Sequence, residues 1–347
     1  MGAAMRHAYL DARVSLMASR LLSEADIERL IDAPAQGEQD SEWLGEAIGL
    51  DEEGVAGIDR GLMPRLLSEL SILLRGLYRQ ERELVRFWAR RFELANIKTL
   101  LRGKMSGHSD ESLREQLVDL GQFSQVSTDK LLLSSDTAEM LRQLEQSVYA
   151  DFAREMRLGL SKQQELFTID ASIDRHYFGG LATRARSVGT SARVLVGSMI
   201  DRVNLVWLLR YRFAYELPPA QTYYQLVPAG HLLTRETLLE LTRLESLPQV
   251  LESLPPPFSE LLADAASTSE VTRRLEIDSW ETARRILVGQ RFNPTRALAY
   301  LILRERDLRR IRAIVRGRRL QMDPRMLRMA TGLVNVDTAL DNNGEAA

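Results

Sequence analysis

The sequence predicts an all-α protein, and three observations support that class. Apolar residues recur at helical spacing along most of the chain, and no stretch alternates apolar and polar residues over the length of a strand. The breaks between helical blocks are short and turn-like, at 106–110, 217–221, 254–259 and 291–294. The composition, with 45% hydrophobic and 27% charged residues, is ordinary for a folded globular protein.

The longest early helix is predicted to begin near Pro64. Proline suits the first turn of a helix, and no strong break follows until Gly103. The pattern therefore predicts one element of around forty residues, with Gly76 marking a bend.

Two later helices have clear start signals. Asparagine followed by proline at Asn293 and Pro294 provides a cap and a favourable first residue. This helix is expected to run to Gly317. Asp323 and Pro324 repeat the signal, which predicts a further helix near the carboxyl end.

A threefold internal repeat is the most informative pattern in the chain. The segments 92–104, 200–212 and 306–318 align without gaps, at separations of 108 and 106 residues. Because a repeat of roughly 105 residues is longer than the common solenoid repeats, each unit is predicted to be a small helical bundle. The predicted bundles are residues 1–109, 110–218 and 219–332, followed by a loose tail at 333–347.

Each copy of the repeat carries an acid, a polar or cationic residue three places on, and two cations at the helix end. The acids are Glu93, Asp201 and Asp307. The other repeated positions are the candidate partner-binding residues, namely Asn96, Arg102, Lys104, Asn204, Arg210, Arg212, Arg310, Arg316 and Arg318.

Two interpretations of these positions remain open. In the first, equivalent helix ends present cations to an acidic partner, and the amides either tie helices together or face that partner. In the second, the arginines interact with the last carbonyls of their helices, and the glycines after Arg102 and Arg316 form left-handed stops. The acid would then pair with the polar residue on the helix surface, as Asp307 would with Arg310.

A weaker repeated pattern is a helix-capping residue followed four places on by an aliphatic residue. It occurs at Ser23 and Ile27, Ser127 and Leu131, Thr234 and Leu238, and Asp323 and Leu327. Capped amphipathic helices resemble one another, so this pattern is also compatible with chance.

Composition and motifs argue against an enzyme. The chain has no cysteine, and its four histidines are scattered, so neither a thiolate nucleophile nor a local metal site is expected. There is no phosphate-binding glycine loop, dinucleotide fingerprint, nucleophile elbow or zinc-binding helix motif. The acid pair Glu52 and Glu53 is expected to be solvated. No catalytic residue, cofactor or metal is therefore predicted.

No apolar run approaches the roughly 20 residues that cross a bilayer, and the first residues lack the apolar core of a signal peptide. With no cysteine, an intracellular protein is expected. Such a protein would meet a membrane through a partner or by its surface.

Charge is unevenly distributed, with acids concentrated at 38–59 and arginines at 304–328. The basic region favours a second class of function, a stand-alone helical protein that binds nucleic acid or an anionic membrane. The net charge of −2 argues against a dedicated nucleic-acid binder. On a helical wheel, the arginines from Arg306 to Arg316 spread over the side opposite Leu308 and Ile311, so most of that charge is predicted to be solvated.

Three segments, 9–33, 92–104 and 296–320, together resemble the C subunit of the archaeal- and bacterial-type V/A-ATPases, which is the counterpart of the d subunit of eukaryotic V-ATPases. The resemblance extends from about Tyr9 to Gly332. It implies three similar helical bundles in a pseudo-threefold funnel, without catalytic, nucleotide or metal sites.

In that family this component is a socket. It seats the rotating shaft, made of the D and F subunits, and rests on the membrane proteolipid ring. The resemblance thus implies a monomer within a hetero-oligomer, attached peripherally to the membrane in the cytoplasm, and no nucleic-acid partner. Arg310 in place of asparagine and Tyr211 in place of glycine depart from the repeat, so the three helix ends are not expected to be fully equivalent.

Overall fold

A computed structural model describes residues 3–32, 58–160, 166–289 and 291–333. Over these ranges the chain is helical and contains no strand, which confirms the predicted all-α class. Most of the acidic segment at 38–59, including Glu52 and Glu53, and the predicted tail beyond Leu333 lie outside the described residues.

The helices of the first half of the chain are α1 Ala3–Ala18, α2 Glu24–Asp32, α3 Ile58–Gly76, α4 Arg79–Met105, α5 Asp110–Gln116, α6 Thr128–Leu132, α7 Thr137–Leu144, α8 Ala150–Leu160 and α9 Leu166–Val188. Those of the second half are α10 Thr190–Leu209, α11 Pro219–Gln225, α12 Arg235–Thr242, α13 Leu247–Glu252, α14 Phe258–Leu261, α15 Thr268–Val288, α16 Thr295–Arg319 and α17 Pro324–Thr331. A π-helical turn, Arg210–Ala214, extends α10.

The chain forms two compact units. One combines the described residues of Met1–Leu77 with those of Trp280–Ala347, and its buried apolar side chains include Val14, Leu70 and Leu301. The other spans Tyr78–Ser279, and its buried apolar side chains include Trp88, Leu181 and Leu208.

The predicted forty-residue helix was wrong, because the structure divides it into α3 and α4. The backbone of Tyr78 is extended, with φ −106° and ψ 150°, and the side chain of Glu81 accepts its N–H at 3.0 Å. This contact caps the new helix. Pro64 lies inside α3 rather than in its first turn. Gly76 ends α3 where an added Cβ would lie 3.2 Å from Leu10, so it permits close packing of α1.

The start at Asp323 and Pro324 is confirmed, whereas the helix predicted to begin at Pro294 begins one residue later, at Thr295. The side chain of Asn293 accepts the N–H of Thr295 at 3.0 Å, and that of Asp323 accepts the N–H of Arg325 at 2.7 Å. Three further caps accept a backbone N–H three residues on, at 3.2 Å for Ser23, 3.3 Å for Ser127 and 3.2 Å for Thr234. The helix that follows Asn293 continues to Arg319, two residues beyond the predicted end at Gly317.

Candidate partner-binding site

The acid of the first repeat copy is buried and holds a loop in place. Glu93 accepts the backbone N–H groups of Gln125 and Val126, at 2.6 and 3.0 Å, immediately before the cap Ser127. The hydroxyl of Tyr149 also donates to Glu93. Burial and the adjacent charge of Glu93 raise the pKa of Tyr149, so this phenol is a permanent donor.

The acid of the second copy makes the same kind of contact. Asp201 is fully buried and accepts the N–H groups of His231, Leu232 and Leu233, at 3.0, 2.7 and 3.1 Å. These residues immediately precede the cap Thr234. Burial raises the pKa of Asp201, and the three backbone donors oppose that rise.

The acid of the third copy binds a residue that is distant in sequence. Asp307 accepts the N–H of Leu22 at 3.0 Å, and Leu22 immediately precedes the cap Ser23 of α2. Burial raises the pKa of Asp307 to about 6. The capped helix that completes this copy is therefore α2, from the amino-terminal segment.

The repeated amides tie helices together inside the protein. Asn96 donates to the carbonyl of Val118 at 2.7 Å and accepts its N–H at 3.0 Å. Asn204 makes the same pair with Val227, at 2.8 Å in both directions. Each amide is buried. Each forms its hydrogen bonds with the backbone just after a short helix, α5 for Asn96 and α11 for Asn204.

Arg310 takes the position of the amide in the third copy. Its Nε donates to the carbonyl of Thr331 at 2.7 Å, and its terminal nitrogens donate to the carboxylate of Glu24 at 3.0 and 3.3 Å. Arg310 is buried, so its placement on a solvated face was wrong. The predicted surface pairing of acid and polar residue is also wrong, because Asp307 accepts the N–H of Leu22, whereas Arg310 donates to Thr331 and Glu24.

In the first two copies, the second cation binds carbonyl groups of the chain itself. Lys104 donates to the carbonyls of Leu132 and Ser134, each at 2.6 Å. Arg212 donates to the carbonyls of Leu217 and Leu244, at 2.6 and 3.3 Å. The third member, Arg318, is partly buried.

The first cations of the repeat are the exposed ones. Arg102 pairs with Asp170 of α9 and still exposes 55% of its side chain. Arg210 lies 5.3 Å from the ring centre of Tyr215, and Arg316 occupies the last turn of α16. Of the nine candidates, Arg102, Arg210 and Arg316 are the three that are exposed.

The repeated glycines are not helix stops, so that part of the second interpretation was wrong. Gly103 and Gly317 lie inside their helices. A Cβ on Gly103 would overlap the side chain of Leu113, and one on Gly317 would overlap Leu327. Each glycine therefore allows the following short helix to approach closely.

The left-handed residues that follow the repeated helices are Gly107, Glu216 and Gln321, with φ of 71°, 52° and 53°. In the third copy, Met322 N–H donates to the carbonyl of Gly317 at 2.9 Å, and Gln321 N–H donates to that of Arg318 at 2.9 Å. This pattern is a Schellman motif.

A set of ion pairs formed by regularly spaced acids escaped prediction from the sequence. Glu69, Asp174 and Asp278 recur at intervals of 105 and 104 residues. Arg304 and Tyr300 donate to Glu69 at 3.2 and 2.7 Å, Lys98 donates to Asp174, and Arg202 donates to Asp278 at 2.9 Å. The spacing of the acids was the available signal, because its intervals of 105 and 104 residues are close to the 108 and 106 of the repeat.

Many arginines of the basic region pair with acids of the same chain. Arg306 donates to Glu24 at 3.1 Å and lies 4.2 Å from the ring centre of Trp280. Arg328 donates to Glu28 at 2.9 Å. Together with the contacts of Arg304 and Arg310, these ion pairs neutralise much of the positive charge at 304–328 by acids of the same chain.

The described residues hold no group of histidine and acidic side chains that could bind a metal ion. Among the helices of the described ranges, none combines the length and the apolar character that crossing a bilayer requires. The repeated side chains instead join helix ends, which is structural rather than catalytic chemistry.

Comparison with known proteins agrees with this view. The family described as ATP synthase (C/AC39) subunit matches residues 10–329. The C subunit of the A-type ATP synthase of Methanocaldococcus jannaschii is 21% identical over 340 residues, which cover 93% of this chain and 85% of the relative. That of Haloferax volcanii is 26% identical over 335 residues, which cover 91% and 94%. The C subunit is a structural component of its complex, so the chain is not itself an enzyme. With nearly its whole length matched, the chain belongs to the ATP synthase C/AC39 subunit family.

Proposed function

We propose that the protein is a non-catalytic central-stalk subunit of a V/A-type rotary ATPase or ATP synthase. In this role it is a socket that links the rotating shaft, made of the D and F subunits, to the membrane proteolipid ring, so that torque passes between ATP turnover and proton or sodium transport. The observation that carries the proposal is the family match over residues 10–329. The protein would then be a cytoplasmic, peripherally attached monomer within a hetero-oligomer.

The proposal includes three bundles, near 1–109, 110–218 and 219–332, arranged as a pseudo-threefold funnel. The equivalent contacts of Glu93, Asp201 and Asp307 support this arrangement. In it, α2 packs with the third bundle rather than the first, since Asp307 binds Leu22 just before α2 and Arg310 binds Glu24. A transmitter of torque requires stiffness, and the buried carboxylates of Glu93, Asp201 and Asp307 contribute to it by binding the backbone at helix starts.

Arg102, Arg210 and Arg316 are the proposed partner contacts, because they occupy equivalent helix ends and are exposed. An acidic partner surface would be oriented by them, with a larger effect on association rate and specificity than on affinity. Asn96, Asn204, Lys104, Arg212 and Arg310 would act indirectly, by positioning those ends.

The proposal is tested by capture of the purified D and F subunits and of the proteolipid ring at low ionic strength. Changing Arg102, Arg210 and Arg316 together to glutamine is expected to weaken capture about tenfold or more, with little change in melting temperature. The matched control changes Arg86, Arg193 and Arg284, which are also exposed helical arginines. Recovery of none of the partners by the native chain would overturn the assignment, and equal effects of both triple variants would exclude the proposed contacts.

A further inference from the structure

The turn between α16 and α17 exposes an unusual number of apolar side chains. Leu320 is 75% exposed, Met326 is 50% exposed and Met322 is 38% exposed. Burial is the usual state of such residues, and three within seven positions form a local cluster rather than scattered exceptions.

The same turn is strongly cationic. Arg316, Arg319 and Arg325 are exposed on it. The single acid of residues 316–326, Asp323, accepts the backbone N–H of Arg325 at 2.7 Å as a helix cap. Exposed arginine side chains thus flank the exposed apolar side chains.

The equivalent turns of the other two repeat copies provide an internal comparison. In the first copy the turn after α4 exposes Met105 but is otherwise polar, and two acids, Asp110 and Glu111, follow it. In the second, Tyr215 is exposed beside Glu216. The combination of clustered apolar residues and excess arginine therefore distinguishes the third turn.

The turn is also firmly held. Its Schellman hydrogen bonds and the cap at Asp323 fix both helix ends, and the sulfur of Met322 would lie 3.3 Å from a Cβ placed on Gly317. A turn that is fixed by hydrogen bonds and exposes leucine and methionine suits a surface that can deform around these side chains. The interface of a fluid bilayer does so, and anionic headgroups complement the arginines.

From this combination we propose that residues 319–326 form a contact for an anionic phospholipid surface, with Leu320, Met322 and Met326 entering the interface and Arg319 and Arg325 binding the lipid phosphates. This contact is separate from the proposed capture of the shaft and ring, since it requires the chain and lipid alone.

The direct test is co-sedimentation of the full chain with vesicles. Vesicles of phosphatidylcholine with one-third phosphatidylglycerol are expected to bind the chain, and vesicles of phosphatidylcholine alone to bind it at least about tenfold more weakly. Changing Leu320, Met322 and Met326 to serine, or Arg319 and Arg325 to glutamine, is expected to reduce binding about tenfold or more. The control changes Leu133, Val148 and Leu158, which are all more than half exposed, to serine and is expected to bind like the native chain.

A second measurement avoids any loss of folding in the triple variants. The native chain has no cysteine, so Leu320→Cys and Leu133→Cys each give a single labelling site. An environment-sensitive dye at position 320 is expected to shift to the blue on anionic vesicles, and the same dye at position 133 to remain unchanged. No binding of the native chain to anionic vesicles, equal loss of binding in the control triple, or equal dye shifts at both positions would overturn the proposal.

Discussion

Asp307 accepts the backbone N–H of Leu22 at 3.0 Å, across 285 residues of sequence. Asp201 binds the corresponding segment, Leu232 and Leu233, about 31 residues after itself. The third copy of the repeat thus uses the amino-terminal segment where the others use the chain that follows them. The contacts that join these helix ends can be tested by substitution.

Removing the buried carboxylate of the second copy should markedly lower the stability of the protein. Asp201→Ala leaves three backbone N–H groups without their acceptor, so the free energy of unfolding is expected to fall by about 3 kcal/mol. Urea denaturation measures this change. The control is Asp119→Ala, because Asp119 accepts the N–H of Gly121 at an exposed site. Equal, small losses in both variants would contradict the prediction.

Adding a side chain at the glycines inside the repeated helices should destabilise the protein. Gly103→Ala is expected to lower the free energy of unfolding by about 1–3 kcal/mol, because the new Cβ overlaps Leu113. In a Leu113→Ala background the same substitution should cost much less, and a double-mutant cycle measures the difference. A cost that persists unchanged in that background would indicate a backbone requirement for glycine instead.

Replacing the left-handed residue after α16 with glycine should stabilise the protein. Gln321 has φ 53°, a conformation that costs a residue with a Cβ about 1 kcal/mol. Gln321→Gly is therefore expected to raise the melting temperature, and Gln321→Ala is not. Scanning calorimetry of the two variants measures the difference, and a gain with alanine would refute the explanation.

The stability of the protein should depend on the ionisation of Asp307. Burial raises its pKa from 3.8 to about 6. The folded state therefore binds the proton of the Asp307 carboxyl group more tightly than the unfolded state does. As pH rises from about 4 to about 6, ionisation of Asp307 consequently lowers the free energy of unfolding. Asp307→Asn cannot ionise, and its stability relative to the native chain should improve by up to about 3 kcal/mol over that range. Denaturation at several pH values tests this, with Asp119→Asn as the exposed control and a pH-independent difference as the contradicting result.

Local features of the fold could be predicted from the sequence because short-range interactions produce them. Ser127 and Asn293 accept N–H groups within three residues, and such caps are visible in a sequence. The break before α4 was missed because Tyr78 is not a usual capping residue, and the cap there is supplied by Glu81.

The positions of the candidate site could be predicted, but their roles could not. Periodicity identified Asn96 and Asn204 without indicating whether they face a partner or the backbone. The partner of Arg310 lies in α2, and that of Arg304 lies in α3. Such contacts depend on tertiary packing, which leaves no local signal in the sequence.

The bond between Asp307 and Leu22 also has a consequence for biosynthesis. A ribosome completes Glu93 and its acceptor loop, or Asp201 and its loop, within a short interval of elongation. Leu22, by contrast, emerges long before Asp307 has been made, so α2 must wait for almost the entire chain before it can dock. Contacts of such long sequence separation form slowly. Although α2 is made long before α16, it is therefore expected to be among the last of the described helices to reach its final place.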